Sequence, residues 1–407
     1  MSLTRKSLKG VFWLGALRIG IKVFSFSKLV IVARILSPKD FGLFGMVVIP
    51  YGLLEVATES GLNQALIQTK KNPKKYFTSV QLIFLLRGLL LFFLLFFTAP
   101  LISRFYKNNI TQAIRIIALA PLIRGFINPA VVLFKKQLQF KKEFSFQLLP
   151  SILESLATVI YAVKLRSMIA LPLGVVTGAF IATFISYLMA KIKLTTIRIR
   201  KIIELYQYGK WVTVGSLLSY LNDQGDDFIV SKILGPQSLG FYQTAYRISN
   251  LPTTQGASLV YQIVFPIFSS IQTNLKRLSR GVIKSLIFTF GFSLFFGLII
   301  YFVAPFFTRL VLGEQWLPMV PALNILIIFG MARPLISVGM ALFDAVGQPK
   351  IAATVNLIKF VVLFSIVWPL TQKWGIIGTS WSVVIAQLAV YPWFIYKLLN
   401  FFKSHKT

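Results

Sequence analysis

The sequence predicts an all-α, polytopic membrane protein of about twelve transmembrane helices, in two parallel six-helix lobes. Three observations carry this expectation. Of the 407 residues, 56% are hydrophobic, 38 are Phe and only 13% are charged, a composition foreign to soluble domains. Apolar runs of about 20 residues, the length a helix needs to cross a bilayer, recur from end to end. A motif in the first polar gap also returns almost half a chain later.

Each span follows from an apolar run bounded by charge, Gly or Pro. The start, "MSLTRKSLKG", is basic and leads into a run over 11–33. That run is longer than a signal-peptide core and lacks a small-residue cleavage site, so it reads as a retained span. After Arg34 and Pro38 the next run covers 41–64 and stops before Lys70 to Lys75; a Phe- and Leu-rich run covers 76–102, up to Arg104. Runs over 113–134, 145–163 and 168–190 are closed by Lys135 to Lys142, by Lys164 with Arg166, and by the basic gap from Lys191 to Lys210. That gap is the longest, and no stretch between spans is long enough for a separate soluble domain. A second set follows at 210–231, 238–266, 282–308, 318–344, 352–370 and 375–397. The N-terminal lobe is therefore expected over 1–197 and the C-terminal lobe over 198–407.

Basic residues orient the set. With the N-terminus inside, 23 Lys and Arg fall in inside segments, among them Arg5, Lys70, Lys135 and Lys191, against nine in outside segments such as Arg104 and Lys373. Short loops biased this way place both termini in the cytoplasm. The same scatter argues against nucleic acid as the target of a +32 net charge, because no polar segment gathers it; topology and anionic lipid account for it.

Several chemistries are excluded. There is no Cys, and the only His is His405 in the tail, which removes thiolate nucleophiles, His-ligated metal sites and Ser-His catalysis. No phosphate-binding G-x-x-x-x-G-K-[ST] loop is present. The expectation is no enzyme, no metal and no cofactor.

The repeat lies in "ARILSPKDFGLFG", Ala33 to Gly45, and "SKILGPQSLGFYQ", Ser231 to Gln243. At an offset of 198, Ile35, Leu36, Pro38 and Gly42 meet Ile233, Leu234, Pro236 and Gly240. Six spans separate the copies, so the halves share one orientation, an architecture of transporters with the substrate path between the halves. The motif itself reads as a tight outer turn with Lys39 and Asp40 at its tip. "LIRGFINPAVVLF" and "MARPLISVGMALF" match as well, placing Arg124 and Arg333 mid-span in helices four and ten. Buried pairing is the expected role for both.

"ARILSPKDFGLFGMVVIPYGLLEVATESGLNQALIQTKK" resembles the first hairpin of bacterial polysaccharide exporters of the Wzx-type flippase group, in the superfamily that also holds multidrug and lipid II flippases. "DDFIVSKILGPQSLGFYQTAYRISNLP" resembles that family's start of the second lobe, with Asp226 and Asp227 ahead of the Tyr242, Tyr246, Arg247 and Pro252 pattern. The resemblance runs over most of the chain. It implies two lobes around a central cavity, alternating access, and flipping of undecaprenyl-pyrophosphate-linked oligosaccharide for O-antigen, capsule or exopolysaccharide synthesis. Glycosyltransferases and a polymerase would be its pathway partners, and the bacterial inner membrane its location. Many members of the group have fourteen spans where about twelve are found here.

Intramembrane charge supplies the candidate site. Each ionisable residue at a helix centre costs about 2.5–3.5 kcal/mol. In the first helix Arg18, Lys22 and Lys28 fall within an arc of about 120° at 100° per residue, as on one face toward a wet cavity. Lys22, roughly 17 Å from either end, is too deep to snorkel. Arg124, Arg247 and Arg333 complete a cationic set suited to pyrophosphate; Arg87 and Lys359 are further mid-span cations. Seven acids in or at the ends of spans, Glu55 and Glu59 at i and i+4, Asp223, Asp226 and Asp227 on one turn, and Glu154 and Asp344, are the available ion-pair partners and the side chains able to carry a coupling proton or Na⁺. At the 198 offset Lys28 meets Asp226, which suggests a cross-lobe gate. A multidrug or cation antiporter of the same superfamily is the first alternative and a membrane polymerase the second. The antiporter would favour an acidic, aromatic cavity, and the polymerase a large external loop that is absent here.

Overall fold

The computed structural model describes residues 3–59, 61–68, 72–191, 199–348 and 350–404. Every regular element among them is helical, and they fall into two compact units, Met1–Leu217 and Leu218–Thr407. The division lies inside a helix, 20 residues beyond the expected 197/198 boundary.

In the first unit α1 (Leu3–Ile35) runs to a two-residue turn, and Ser37 caps α2 (Pro38–Ala57). The Ser37 hydroxyl accepts from the Asp40 amide at 3.2 Å, and the Asp40 carboxylate accepts from the Ser37 amide at 3.0 Å. This is a capping box with proline at the first helical position. Lys39 and Asp40 therefore belong to the first turn of α2, a correction to their expected place at the tip of the loop. In the second unit, Gly235 occupies the position equivalent to Ser37, with φ +81, between α9 (Ile199–Ile233) and the first turn of α10 (Gly235–Ile271). The two copies of the motif thus both start a helix, one through a side-chain cap and one through a left-handed glycine.

Two expected helices are broken. The run over 41–64 stops at Ala57, where the Thr58 hydroxyl turns back to the Leu54 carbonyl at 2.7 Å; the chain resumes as α3 (Leu62–Gln68). Glu59 consequently lies beyond the end of α2 and does not share its helical face with Glu55. After α4 (Phe77–Tyr106), the run over 113–134 becomes α5 (Thr111–Arg124) and a piece over Pro129–Lys136 that ends in α6 (Val132–Lys136), bent by 67° from it. Asn128 holds the break, accepting from the Ala130 amide at 2.9 Å and donating to the Ala190 carbonyl at 2.6 Å.

α7 (Phe140–Leu165) and α8 (Ala170–Met189) close the lobe. Gly174 and Gly178, one turn apart on α8, face Thr158 and Glu154 of α7; a Cβ on Gly178 would come within 2.8 Å of the Glu154 side chain. Small residues at this spacing let membrane helices approach closely, and here they press Glu154 toward α1.

The second unit continues with α11 (Leu275–Phe307), α12 (Val320–Ala345), α13 (Lys350–Leu388) and α14 (Val390–Ser404). The last two expected spans meet at Gly375, whose φ of 59° and ψ of −142° break the helix inside α13. The apolar stretch Lys350–Lys403 has 54 residues, about 80 Å of helix at 1.5 Å per residue against a hydrocarbon core of about 30 Å, so it crosses more than once.

By length and composition, seven helical stretches among the described residues are apolar enough to cross a membrane, or eight with the bent pair. α1, α9 and α10 lie outside that set. They carry Lys22, Lys28, Asp223, Asp226, Asp227 and Arg247, which a membrane tolerates only on faces turned to protein or water. Elsewhere the polarity runs inside out: Phe97 of α4 and Phe302 of α11 are 69% and 75% exposed, while Thr371, Ser382 and Gln387 are fully buried. The protein is an all-helical, multi-pass membrane protein.

Candidate functional site

In the first lobe the mid-span charges converge on the end of α2. The Glu55 carboxylate accepts from the Tyr51 hydroxyl one turn earlier at 3.1 Å, and it is paired with Arg87 of α4. Arg87 also donates to the Thr58 hydroxyl at 3.0 Å and to the Glu55 carbonyl at 2.7 Å, so it caps the helix whose acid it neutralises. Arg124, in the last turn of α5, donates to the Tyr51 hydroxyl at 2.9 Å and lies 3.9 Å from Glu55.

The second lobe repeats this arrangement with other positions. Arg333 of α12 donates to the Tyr246 hydroxyl of α10 at 3.2 Å and pairs with Asp223 of α9 at 3.1 Å. Arg333 and Lys359 both approach the Phe329 ring, at 5.7 and 5.9 Å. In both lobes an arginine on the fourth expected span meets a tyrosine on the second and a carboxylate. Of the buried pairing expected for both, Arg333 makes a close ion pair at 3.1 Å, while Arg124, 43% exposed, makes only a loose one at 3.9 Å.

The three clustered aspartates do not compete for one cation. Asp223 takes Arg333, Asp226 accepts from the Tyr242 hydroxyl at 2.5 Å and from the Asp227 amide at 3.0 Å, and Asp227 accepts from the Gln243 amide at 2.8 Å. Asp226 and Asp227 are buried and hydrogen-bonded to neutral donors, with the Arg247 guanidinium near enough to Asp227 to attract it. Lys28 pairs with Glu154 at 3.1 Å. Lys28 and Asp226 thus each have a partner within their own lobe.

Lys22 and Arg247 are exposed and make no salt bridge among the described residues. Arg18 lies on α1, with its side chain outside the described residues. Sequence reasoning missed Tyr51, Tyr246, Tyr242 and Gln243 as partners. The first two carried a local signal: Tyr51 sits four residues before Glu55, and Tyr242 four before Tyr246, the spacing that puts side chains on one helix face.

A cavity of about 510 Å³ opens within the first lobe, lined by the Glu55, Arg87 and Arg124 cluster, by Lys135, Glu143 and Gln147, and by Asn63, Phe84 and Phe146. Lys135 pairs with the buried Glu143 at 3.3 Å, and Gln147 donates to the same carboxylate. The break between α5 and α6 forms one wall, as expected where discontinuous helices build membrane-embedded sites.

A profile described as polysaccharide biosynthesis protein matches residues 31–321. The chain belongs to the polysaccharide biosynthesis protein family. Across 394 residues it is 23% identical to the lipopolysaccharide biosynthesis protein WzxC of Escherichia coli strain K12, covering 95% of this chain and 80% of that one. Among solved structures it is similar to the lipid II flippase MurJ in an inward closed conformation, with a TM-score of 0.76 and 18% identity over 94% of this chain and 86% of MurJ. It is also similar to an inward-facing multidrug resistance MATE family transporter of the MOP superfamily, with a TM-score of 0.77 and 14% identity over 95% of this chain and 96% of that one. The two likenesses fix the fold alone.

Proposed function

We propose that the protein is a flippase that moves undecaprenyl-pyrophosphate-linked oligosaccharide across the bacterial cytoplasmic membrane for surface polysaccharide synthesis. It works by alternating access, with both termini in the cytoplasm. The observation that carries this reading is the surplus of cations on membrane-embedded helices. Among the described residues Lys22 makes no ion pair and Arg247 no salt bridge within 4 Å, only a longer-range attraction to Asp227, while Arg124 has a loose partner. A pyrophosphate carries about two negative charges and cannot cross a low-dielectric slab uncompensated. Lys22, with Arg18, Lys28, Arg247 and Arg333, supplies that counter-charge, and the polyprenyl tail stays in lipid. WzxC, named for lipopolysaccharide biosynthesis, and MurJ, named as a lipid II flippase, support the substrate class.

The acids fall into two roles. Glu55 and Asp223 balance arginines, while Asp226 and Asp227, hydrogen-bonded to neutral donors, are suited to carry a coupling proton or Na⁺; Glu59, beyond the end of α2, is a further acid of the first lobe. The gate becomes an exchange of partners, in which Lys28 leaves Glu154 as access alternates. A cation antiporter on the same fold would need acids in excess, and the lobes offer the reverse.

Deletion of the gene tests the proposal. Lipid-linked oligosaccharide should accumulate on the cytoplasmic face, made by glycosyltransferases and out of reach of the polymerase. Unchanged surface polysaccharide would contradict it.

A further inference from the structure

We propose that the cavity of the N-terminal lobe binds one carboxylate-bearing sugar, a hexuronate-type residue, of the transported saccharide. This rests on the flippase reading and names the part of the substrate that this wall recognises. The volume of about 510 Å³ falls in the range of ligand pockets, about 300–1,000 Å³, and exceeds a single hexose. The lining combines planar polar side chains with Phe84 and Phe146, the combination that pairs with sugar hydroxyls while covering an apolar ring face.

Which groups remain available decides the ligand. Arg87 is committed to Thr58 and Glu55, and Glu143 to Lys135 and Gln147. Arg124 is not. Its one hydrogen bond among the described residues goes to Tyr51, and its 3.9 Å approach to Glu55 is too long to be another. The side chain lines the cavity and is 43% exposed, so its guanidinium, held in place by Tyr51, keeps donors free of protein partners. A guanidinium fork matches a carboxylate with two parallel hydrogen bonds. Three cations and two carboxylates line the cavity, leaving one positive charge in excess. A monoanion satisfies that balance; a pyrophosphate, with about two charges, does not.

The test uses the purified full-length chain in lipid nanodiscs, with sodium glucuronate as probe and binding read by saturation-transfer NMR. Glucuronate should bind, with glucose at least about tenfold weaker, the worth of one charge-assisted pair. Arg124→Gln should lose glucuronate by a similar factor and Arg124→Lys by less, because it keeps the charge without the fork. Asn63→Ala, at an exposed position of the lining, should weaken binding several-fold at an unchanged melting temperature, which guards against misfolding of the arginine variants. Lys22→Gln lies outside the cavity and should leave glucuronate binding intact while lowering transport. The proposal fails if the wild type does not bind glucuronate, if all variants bind it alike, or if inorganic phosphate displaces it as the tighter ligand, which would assign the cavity to a phosphate group. If gene deletion leaves lipid-linked precursors undisturbed while Arg124-dependent glucuronate binding persists, the flippase reading fails and the site stands.

Discussion

Glu55→Gln should destabilise the first lobe far more than Asp226→Asn destabilises the second, although Asp226 is the more deeply buried. Glu55 is paired with Arg87, sits 3.9 Å from Arg124 and accepts from Tyr51 at 3.1 Å. At 3.9 Å and an effective dielectric of about 20, one such pair is worth roughly 4 kcal/mol before screening. The arginine side chains are 27% and 43% exposed, which cuts each contribution to about 1 kcal/mol. The charge-assisted hydrogen bond from Arg87 adds about 1 kcal/mol, so the neutral amide should cost about 2–3 kcal/mol. Asp226 has only neutral hydrogen-bond donors, the Asp227 amide on one oxygen and the Tyr242 hydroxyl on the other; in asparagine the oxygen keeps the amide and the NH2 donates to the Tyr242 hydroxyl in its turn, for a loss of about 1 kcal/mol. Reversible unfolding in mixed detergent micelles measures both. A double-mutant cycle of Glu55→Gln with Arg87→Gln should show coupling of about 1–2 kcal/mol. An equal or larger cost for Asp226→Asn, or additivity in the cycle, would refute the assignment of charged and neutral partners.

Two further outcomes follow from the packing of α1 on α7. Lys28→Glu and Glu154→Lys should each reduce stability and surface polysaccharide output, and the double swap should restore both; rescue of Lys28→Glu by Asp226→Lys instead would show that the resting partner is misassigned. Gly178→Val places a branched side chain where a Cβ already comes within 2.8 Å of Glu154, so it should cost about 1–3 kcal/mol by overpacking and weaken the Lys28 pair. An unfolding midpoint equal to that of the wild type would show that the α7–α8 contact is looser than described.

Much of the fold was legible because lipid imposes a simple rule: a run of apolar residues between charges must cross. α4, α7, α8, α11 and α12 follow their apolar runs closely, and the 198-residue offset marks two helix starts that share a proline. The breaks at Ala57 and between α5 and α6 were hidden, because Thr58, Asn128 and Arg87 end those helices through hydrogen bonds that hydropathy does not register. The duplicated arginines could be read from their shared context, and the pairing of Arg333 was anticipated. Their tyrosine partners were not, since Tyr51 and Arg124 are 73 residues apart and only the folded lobe brings them together. Glu154 could be named in advance as an available partner for the cations, but not as the partner of Lys28, since the two are 126 residues apart and meet only where α7 packs on α1.

The central claim is movement of a lipid-linked saccharide through a cationic path, and reconstitution tests it most directly. Proteoliposomes would carry fluorescent undecaprenyl-pyrophosphate-linked oligosaccharide, and a membrane-impermeant reagent would report how much has changed leaflet. The wild type should equilibrate the leaflets, and Lys22→Gln should slow this at least about tenfold, as expected for loss of a counter-charge worth 1.4 kcal/mol or more. Leaflet exchange no faster than in protein-free vesicles would contradict the account, and so would a Lys22→Gln rate equal to the wild type.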